Sequence, residues 1–306
     1  MKFQQLRYLV AVHESGLNIT AAARQLHTSQ PGVSRQLKLL EEELGFQLFE
    51  REGRALTRTT AAGEEIISRA TSILREMQNI RRTSAELRKA DGGTLSIATT
   101  HTQARYVLPQ VVQAFRSAFP AVRVALQQSS PEHIAEWVLS GKADIGIATE
   151  GLSQFDDLIS FPCYTWNHVV VVPEGHALLK HDKIGLEELA SYPLITYDIG
   201  FTGRSHIDAA FKEAGLDTDI VLTAMDSDVI QKYVALGLGV GIVASMASED
   251  GREKGLRSIE ATHMFAPNVT RLAVRRGAYL RSYAYDFILR FAPELKLADI
   301  EHAMSI

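Results

Sequence analysis

SQPGVSRQLKLLEEELG, residues 29–45, sets two weak helix formers, Pro31 and Gly32, inside the first turn of an amphipathic helix. Ser29 is positioned as its cap, a hydroxyl that accepts an N–H the first turn leaves without a partner. Pro31 lies where its missing N–H costs nothing. Val33, Leu37 and Leu40 recur on the inward face, whereas Gln30, Ser34, Arg35 and Lys38 are left for the outward one. A shorter helix precedes it, from Ala21 to His27, with Thr20 as the expected cap and His27-Thr28 as the turn. That spacing is a helix-turn-helix, whose second helix enters the DNA major groove with its N-terminal residues nearest the bases. There Gln30 suits adenine, Arg35 suits the acceptor edge of guanine, and Ser34 suits a base or a phosphate. Ser29 and the free N–H groups of the first turn suit a phosphate. An ordinary surface helix with a proline start is the plainer reading. The short turn, the alanine-rich neighbouring helix and the basic segment that follows weigh against it.

Working outward, Phe3, Leu6, Leu9 and Val10 form the apolar face of a first helix ending near Gly16. On the other side Phe46, Leu48 and Phe49 alternate and lead through Arg51, Gly53 and Arg54 to Leu56, the pattern of a small β-wing. From Thr60 to about Ala90 there is no proline. Ile66, Ala70, Ile73, Met77, Ile80, Ser84 and Leu87 fall at alternating spacings of four and three, a coiled-coil seam. Such a helix would be roughly 45 Å long at ~1.5 Å per residue. One apolar stripe on a lone helix needs a partner, and a second copy of the chain is the simplest one.

After Asp91-Gly92-Gly93 the segments LSIATT, VRVALQQ, ADIGIAT, HVVVVP, PLITY and RLAVRR read as strands separated by amphipathic helices. This is an α/β body with a largely parallel sheet, divided into two lobes because the strands are too many for one. The expected domains are a winged helix-turn-helix over 1–59, a dimerising linker helix over 60–90 and an effector-binding domain over 91–306. Within the last, lobe I spans about 91–163 and 268–306, and lobe II about 164–267.

Composition agrees. The 306 residues are 46% hydrophobic and 22% charged, as in an ordinary globular protein. No run approaches the ~18 apolar residues of a membrane helix. The opening MKFQQLRYLVAVHESG lacks the pattern of a signal peptide, and the single Cys163 forms no internal disulfide, so a cytoplasmic protein is expected. The net charge of -4 is unevenly spread: residues 1–90 hold 14 Lys and Arg against 10 Asp and Glu, and the remainder holds 18 against 26. A basic third on an acidic body fits one module that meets phosphate.

The runs NITAAARQLHTSQPGVSRQLKLLEEELGFQLFER and LTRTTAAGE resemble the N-terminus of LysR-type transcriptional regulators, and the three segments follow that family's order over essentially the whole chain. The resemblance implies a winged helix-turn-helix, a linker helix that dimerises, and a two-lobed effector domain like the periplasmic binding proteins. It places Gln30, Pro31, Ser34 and Arg35 at base-reading positions and Arg51 and Arg54 on the wing. TLSIATTHTQARYVLP, ADIGIATE, PCYTWNHVVVV, YDIGFTGRSHIDAAF and GLGVGIVASMA resemble the cysteine-regulon (CysB-like) subgroup and its sulfonate-utilisation relatives, which respond to acetylserine-type inducers or sulfur oxyanions. The chain ends soon after FAPEL, where the cysteine activators carry a longer tail. The implied partners are double-stranded promoter DNA, further copies of the chain as a dimer of dimers, a small effector such as sulfate, O-acetylserine or N-acetylserine, and RNA polymerase. No membrane, metal or tightly bound cofactor is implied.

The residues support an effector pocket independently. Thr99 and Thr100 end a strand, His101, Thr102 and Gln103 open a helical turn, Thr149 ends another strand, and Thr202, Gly203 and Ser205 open a helix of the second lobe. Ligands of open α/β sheets bind beyond strand carboxyl ends, where helix N-termini offer unpaired N–H groups. Hydroxyls and an amide without surplus cations suit an oxyanion or a small zwitterion, with Tyr164 and Trp166 as walls. Each threonine taken alone is more simply a helix cap; three such clusters favour a pocket. Cys163 and His168 raise the possibility of a Cys–His nucleophile, but nothing places an oxyanion hole beside them. GLGVG, residues 237–241, lacks dinucleotide spacing and reads as a helix stop before a strand, and the ten histidines show no zinc-ligand spacing on one element. An enzyme carrying a helix-turn-helix would need an acid, base or nucleophile set, which these threonines do not supply. A regulator of this family serving another pathway is the nearer alternative.

Overall fold

The computed structural model describes all residues except 54, 88–91, 202, 251–254 and 306; it also leaves undescribed the side chains at 75, 78, 82, 83, 85–87, 150, 249 and 250. The chain forms two compact units, Met1–Lys89 and Ala90–Ile306.

The first unit begins with α1 (Phe3–Glu14), α2 (Ile19–Gln25) and α3 (Gln30–Leu44). A hairpin, β1 (Phe49–Glu52) with β2 (Ala55–Thr59), and the long α4 (Ala61–Leu87) complete it. Leu9, Val33, Leu37, Leu40, Leu48 and Phe49 are wholly buried in one cluster. Burying each such side chain stabilises the fold by about 1.5–3 kcal/mol. Two expectations need correction here. The cap of α2 is Asn18, whose Oδ1 accepts the Ala21 N–H at 3.0 Å, so Thr20 lies within the first turn. The helix also ends at Gln25, and the turn runs through Leu26–Ser29.

One position of the linker helix also needs correction. Ala70, expected in the intermolecular seam, is buried with Ile67 in the core of the unit's own head. Gly63 explains how α4 reaches it: a Cβ there would stand 2.1 Å from the Leu48 carbonyl oxygen, so only glycine permits this approach. Farther along, Ile73 is 39% and Ile80 62% exposed. The Leu87 side chain lies outside the described residues.

The second unit holds two five-stranded sheets. One, in the order β4-β3-β5-β12-β6, is built from β3 (Gly93–Thr99), β4 (Val122–Gln128), β5 (Ile145–Thr149), β6 (Leu158–Trp166) and β12 (Asn268–Arg275). The other, β11-β7-β10-β8-β9, is built from β7 (His168–Pro173), β8 (Leu194–Tyr197), β9 (Ile220–Ala224), β10 (Val240–Ala244) and β11 (Leu256–Glu260). Each sheet is half parallel, not largely parallel: β12 runs against β5 and β6, and β7 against β10 and β11. The reversals occur where the chain leaves the first lobe through β6 and returns through β12. Asn268 is in register with Trp166, so the first sheet runs to Trp166 and Asn167 alone separates it from β7. Helices α5 (Leu108–Ala118), α6 (Pro131–Leu139), α7 (Leu186–Ala190), α8 (Arg204–Glu213) and α9 (Ser227–Ala235) pack on the sheets. The GLGVG run does end α9 and lead into β10.

Candidate functional site

The helix-turn-helix presents its polar face as the spacing requires. Ser29 Oγ accepts the Gly32 N–H at 3.3 Å, while Ser29, Gln30, Pro31, Arg35 and Lys38 are exposed and Ser34 is half-buried. Lys38 sits 3.8 Å from Glu42, an exposed pair one turn apart that leaves the ammonium accessible. Arg51 already has a partner within the head. Its Nη2 donates to Glu41 Oε2 at 2.9 Å, and Glu41 Oε1 accepts the Leu48 N–H at 3.0 Å and the Phe49 N–H at 3.4 Å. Arg51 therefore ties the wing to α3, and this pairing competes with any phosphate contact. Arg54 lies outside the described residues. Arg58, not singled out in the sequence, spans the wing to Glu50 at 2.6 Å and holds that carboxyl below the usual range through this hydrogen bond.

In the second unit, a cleft of about 200 Å³ opens between the lobes. Pro131, Thr149, Gly151 and Phe155 line it from the first lobe, and Phe201, Gly203, Arg204 and Ser205 from the second. The N-termini of α6 and α8 both face it with the positive ends of two helix dipoles; Pro131 has no N–H, and the His133, Arg204 and His206 N–H groups donate to Ser130 Oγ, the Phe201 carbonyl and the Gly203 carbonyl, which leaves Glu132 and Ser205 to present theirs. Ser130 caps α6, accepting the His133 N–H at 3.4 Å; Gly203 precedes α8 and supplies no side-chain cap. Arg204, another residue missed in the sequence, is buried, donating from Nε to Asp208 at 2.7 Å and from Nη1 to the Tyr197 carbonyl at 2.6 Å.

Thr149 is thus brought to the cleft beside the start of α8. Thr202 is outside the described residues. Thr100, Thr102 and Gln103 are buried at the same edge of the first sheet without lining the cleft. Gln103 opens a π-helical turn over 103–107, and its amide is already engaged: Nε2 donates to Thr270 Oγ1 at 3.1 Å, and the Tyr164 hydroxyl donates to Oε1. Trp166 Nε1 also donates to Thr270 Oγ1, at 3.1 Å. Gln103 and Trp166 therefore join the strands around Thr270, a structural duty that the expected ligand role must share. Thr102 Oγ1 faces the Tyr197 hydroxyl in the other lobe but makes no hydrogen bond of normal geometry. Tyr197 is wholly buried and pushed up to about 12 by burial; its oxygen lies 2.5 Å from Ser227 Oγ and accepts the Ala244 N–H at 2.9 Å.

A polar strap crosses the lobes nearby. The Tyr106 hydroxyl donates to Asp228 Oδ1 at 2.5 Å, and Arg105 lies 3.4 Å from Oδ2. Burial, followed by the bond to Asp228, raises the Tyr106 hydroxyl well above the ordinary phenol range. His101, Asp226 and Asp228 have ligand atoms within 4.8 Å of one another, a grouping from separate elements that spacing on one element could not reveal. Both carboxylates already have partners, since Asp226 Oδ1 caps α9 by accepting the Val229 N–H at 2.9 Å and Asp228 holds the strap. Cys163 is half-buried, donates to the Phe161 carbonyl at 3.4 Å and is pushed up to about 11 by burial, the opposite of an activated nucleophile. Among the described residues, no helix is long and apolar enough to cross a membrane.

Comparison with known proteins places both units. Residues 3–64 match the family described as bacterial regulatory helix-turn-helix protein, lysR family, and residues 88–295 match the LysR substrate binding domain. The chain is 49% identical over 300 residues to the HTH-type transcriptional regulator SsuR of Burkholderia cenocepacia, covering 98% of this chain and 97% of that one. It is 46% identical over 303 residues to the HTH-type transcriptional regulator CysB of Haemophilus influenzae, covering 99% and 94%. The crystal structure of the cofactor-binding domain of the Cbl transcriptional regulator superposes with a TM-score of 0.68 at 47% identity, over 70% of this chain and 93% of that one.

Proposed function

We infer, from the premise that this chain belongs to the LysR family of bacterial transcriptional regulators, a regulator of sulfur assimilation or sulfonate-utilisation genes controlled by a small oxyanion or acetylserine-type effector. That it is a DNA-binding transcription regulator and not an enzyme follows from the family. The sulfur pathway is supported by the likeness of its effector segments to the cysteine-regulon subgroup and by its kinship with SsuR and CysB. The observation that carries the effector reading is the interlobe cleft, where Thr149 meets the uncapped N-terminus of α8 and the N-terminus of α6. Such a corner offers one N–H from each helix start, at Glu132 and Ser205, and a hydroxyl to one small anion.

In operation, α3 reads promoter DNA through Gln30, Ser34 and Arg35, with Ser29, Lys38 and Arg54 on the backbone. Linker helices pair two copies, and two pairs form a tetramer. The effector bridges both lobes, and the resulting change of lobe geometry re-spaces the DNA-binding heads and their contact with RNA polymerase. The test is a promoter shift assay with sulfate, thiosulfate, O-acetylserine and N-acetylserine, accompanied by calorimetry on the full chain. At least one compound should bind and alter the shifted complex, and Thr149→Val should weaken it by about tenfold, as loss of one hydrogen bond to a charged group predicts. Silence from all four would assign the cleft to another pathway.

A further inference from the structure

At the start of β12, Asn268 is fully buried, and its Oδ1 has no hydrogen-bond partner among the described residues. On one side its Nδ2 lies 3.4 Å from His168 Nδ1. On the other, the amide abuts Gly203, the cleft-lining residue that precedes α8. A Cβ on Gly203 would stand 2.0 Å from Oδ1, and its φ of +69° is itself a glycine conformation. Glycine at 203 therefore lets a buried amide pack directly against the mouth of α8, behind the residues that line the cleft. A buried polar atom without a partner costs folding free energy, and a ligand at that corner would remove the cost.

We propose that Asn268 is an effector-contacting residue whose Nδ2 donates to the oxyanion held at the α8 N-terminus. This rests on the reading of the cleft as an anion site. A half-turn of the amide exchanges oxygen and nitrogen. Oδ1 then accepts a hydrogen bond from the His168 Nδ1–H, while Nδ2 turns toward Gly203 and the cleft. Both orientations keep the His168 contact, because a neutral imidazole carries its proton on either nitrogen. They differ in what they welcome: outward Oδ1 suits a donor and outward Nδ2 suits an acceptor. The Ser205 N–H and the dipole of α8 already favour an acceptor at this corner, which selects the second. His168 is wholly buried, with its ring centroid 5.2 Å from Trp166 in the first lobe and 6.4 Å from Tyr197 in the second. The imidazole that fixes the amide thus sits where the chain crosses between lobes.

The test is calorimetry with sodium sulfate on the full chain, for the wild type, Asn268→Leu and Asn268→Asp, with ligand-free melting measured beside it. Asn268→Leu should weaken sulfate by about ten- to a hundredfold, the loss expected for one hydrogen bond to a charged group. Asn268→Asp should bind more weakly still at pH 8 and recover as pH falls through the carboxyl titration, because the protonated acid again donates. Wild-type binding should stay flat over that range. An ionised aspartate repels a nearby sulfate with or without contact, so its pH trend places the anion near residue 268; the donated bond is read from Asn268→Leu at unchanged melting or, if that variant folds poorly, from Asn268→Ser, which keeps a donor and should bind sulfate more tightly than Asn268→Ala. Sulfate bound within about twofold of wild type by Asn268→Leu and Asn268→Asp alike, an aspartate variant with no pH trend, or Asn268→Ser no tighter than Asn268→Ala would overturn the proposal while leaving the anion site intact. No sulfate binding by the wild type would overturn the anion reading and this proposal with it.

Discussion

Glu41→Ala tests how the wing is held to the recognition helix. The Glu41 side chain is 9% exposed and accepts from three donors: the Leu48 N–H at 3.0 Å, the Phe49 N–H at 3.4 Å and Arg51 Nη2 at 2.9 Å. Truncation orphans two buried backbone N–H groups, each costing about 1–3 kcal/mol when left without a partner. The Phe49 bond is long and counts near the lower figure. Arg51, 28% exposed, regains water and adds little. The total is ~2–4 kcal/mol, or roughly 30- to 1000-fold in a local opening equilibrium. Hydrogen exchange followed by mass spectrometry on the full-length protein reads this directly, in peptides covering 46–58 against α1 as internal control. Glu41→Gln, which keeps an acceptor for Leu48, should accelerate exchange much less. If Glu41→Ala changes it by under about threefold, the wing does not depend on this carboxylate. Arg51→Met separates the two duties of that residue: undisturbed exchange with weakened DNA binding would return Arg51 to the phosphate backbone.

Three further outcomes are expected. Arg35→Ala should weaken operator binding by ~1–3 kcal/mol and random DNA far less, as for a bidentate guanine contact; equal losses in a shift assay would make Arg35 a phosphate contact only. Ile80→Asp places a charge on the exposed apolar face of α4, and sedimentation should then show a smaller species, since an unpaired charge is strongly disfavoured in a seam. Unchanged mass at micromolar concentration would dismiss the seam. Cys163, its thiol pushed up to about 11 by burial, should react with a disulfide reagent at pH 8 about tenfold more slowly than an ordinary thiol near 9, since the lower thiolate fraction is partly offset by a more basic thiolate, with the rate climbing as pH rises toward 11. Reaction at the ordinary rate would mean that burial does not raise this thiol.

The recognition helix was legible because its signals are local: a cap, a proline at the first turn, and apolar residues one helical period apart. The errors arise where two local signals compete or where burial has two possible sources. Asn18 and Thr20 are both good caps two residues apart, and only the path of the chain from α1 selects Asn18. Ala70 has the seam's period, yet periodicity records that a face is buried without saying against what, and here the partner is the head itself. β6 escaped notice because Pro162 interrupts it and because Leu158–Trp166 mixes polar and aromatic residues at its far end.

The effector site divides in the same way. Threonines at strand ends are visible in sequence, since a strand followed by a helical turn has a recognisable border. Whether such a residue meets a ligand or a neighbouring strand is decided by contacts the border does not contain. Gln103 finds Thr270 across 167 positions, and Asn268 finds His168 across 100. Gln103 thereby spends its amide within the sheet, while Asn268 keeps an atom unspent beside Gly203. A glutamine flanked by threonines announces itself as a ligand-binding residue; an asparagine at the start of a strand does not. The difference between them is hydrogen-bond satisfaction, a property of the folded chain, and it is therefore the unsatisfied Asn268 that is the sharper candidate to meet an effector.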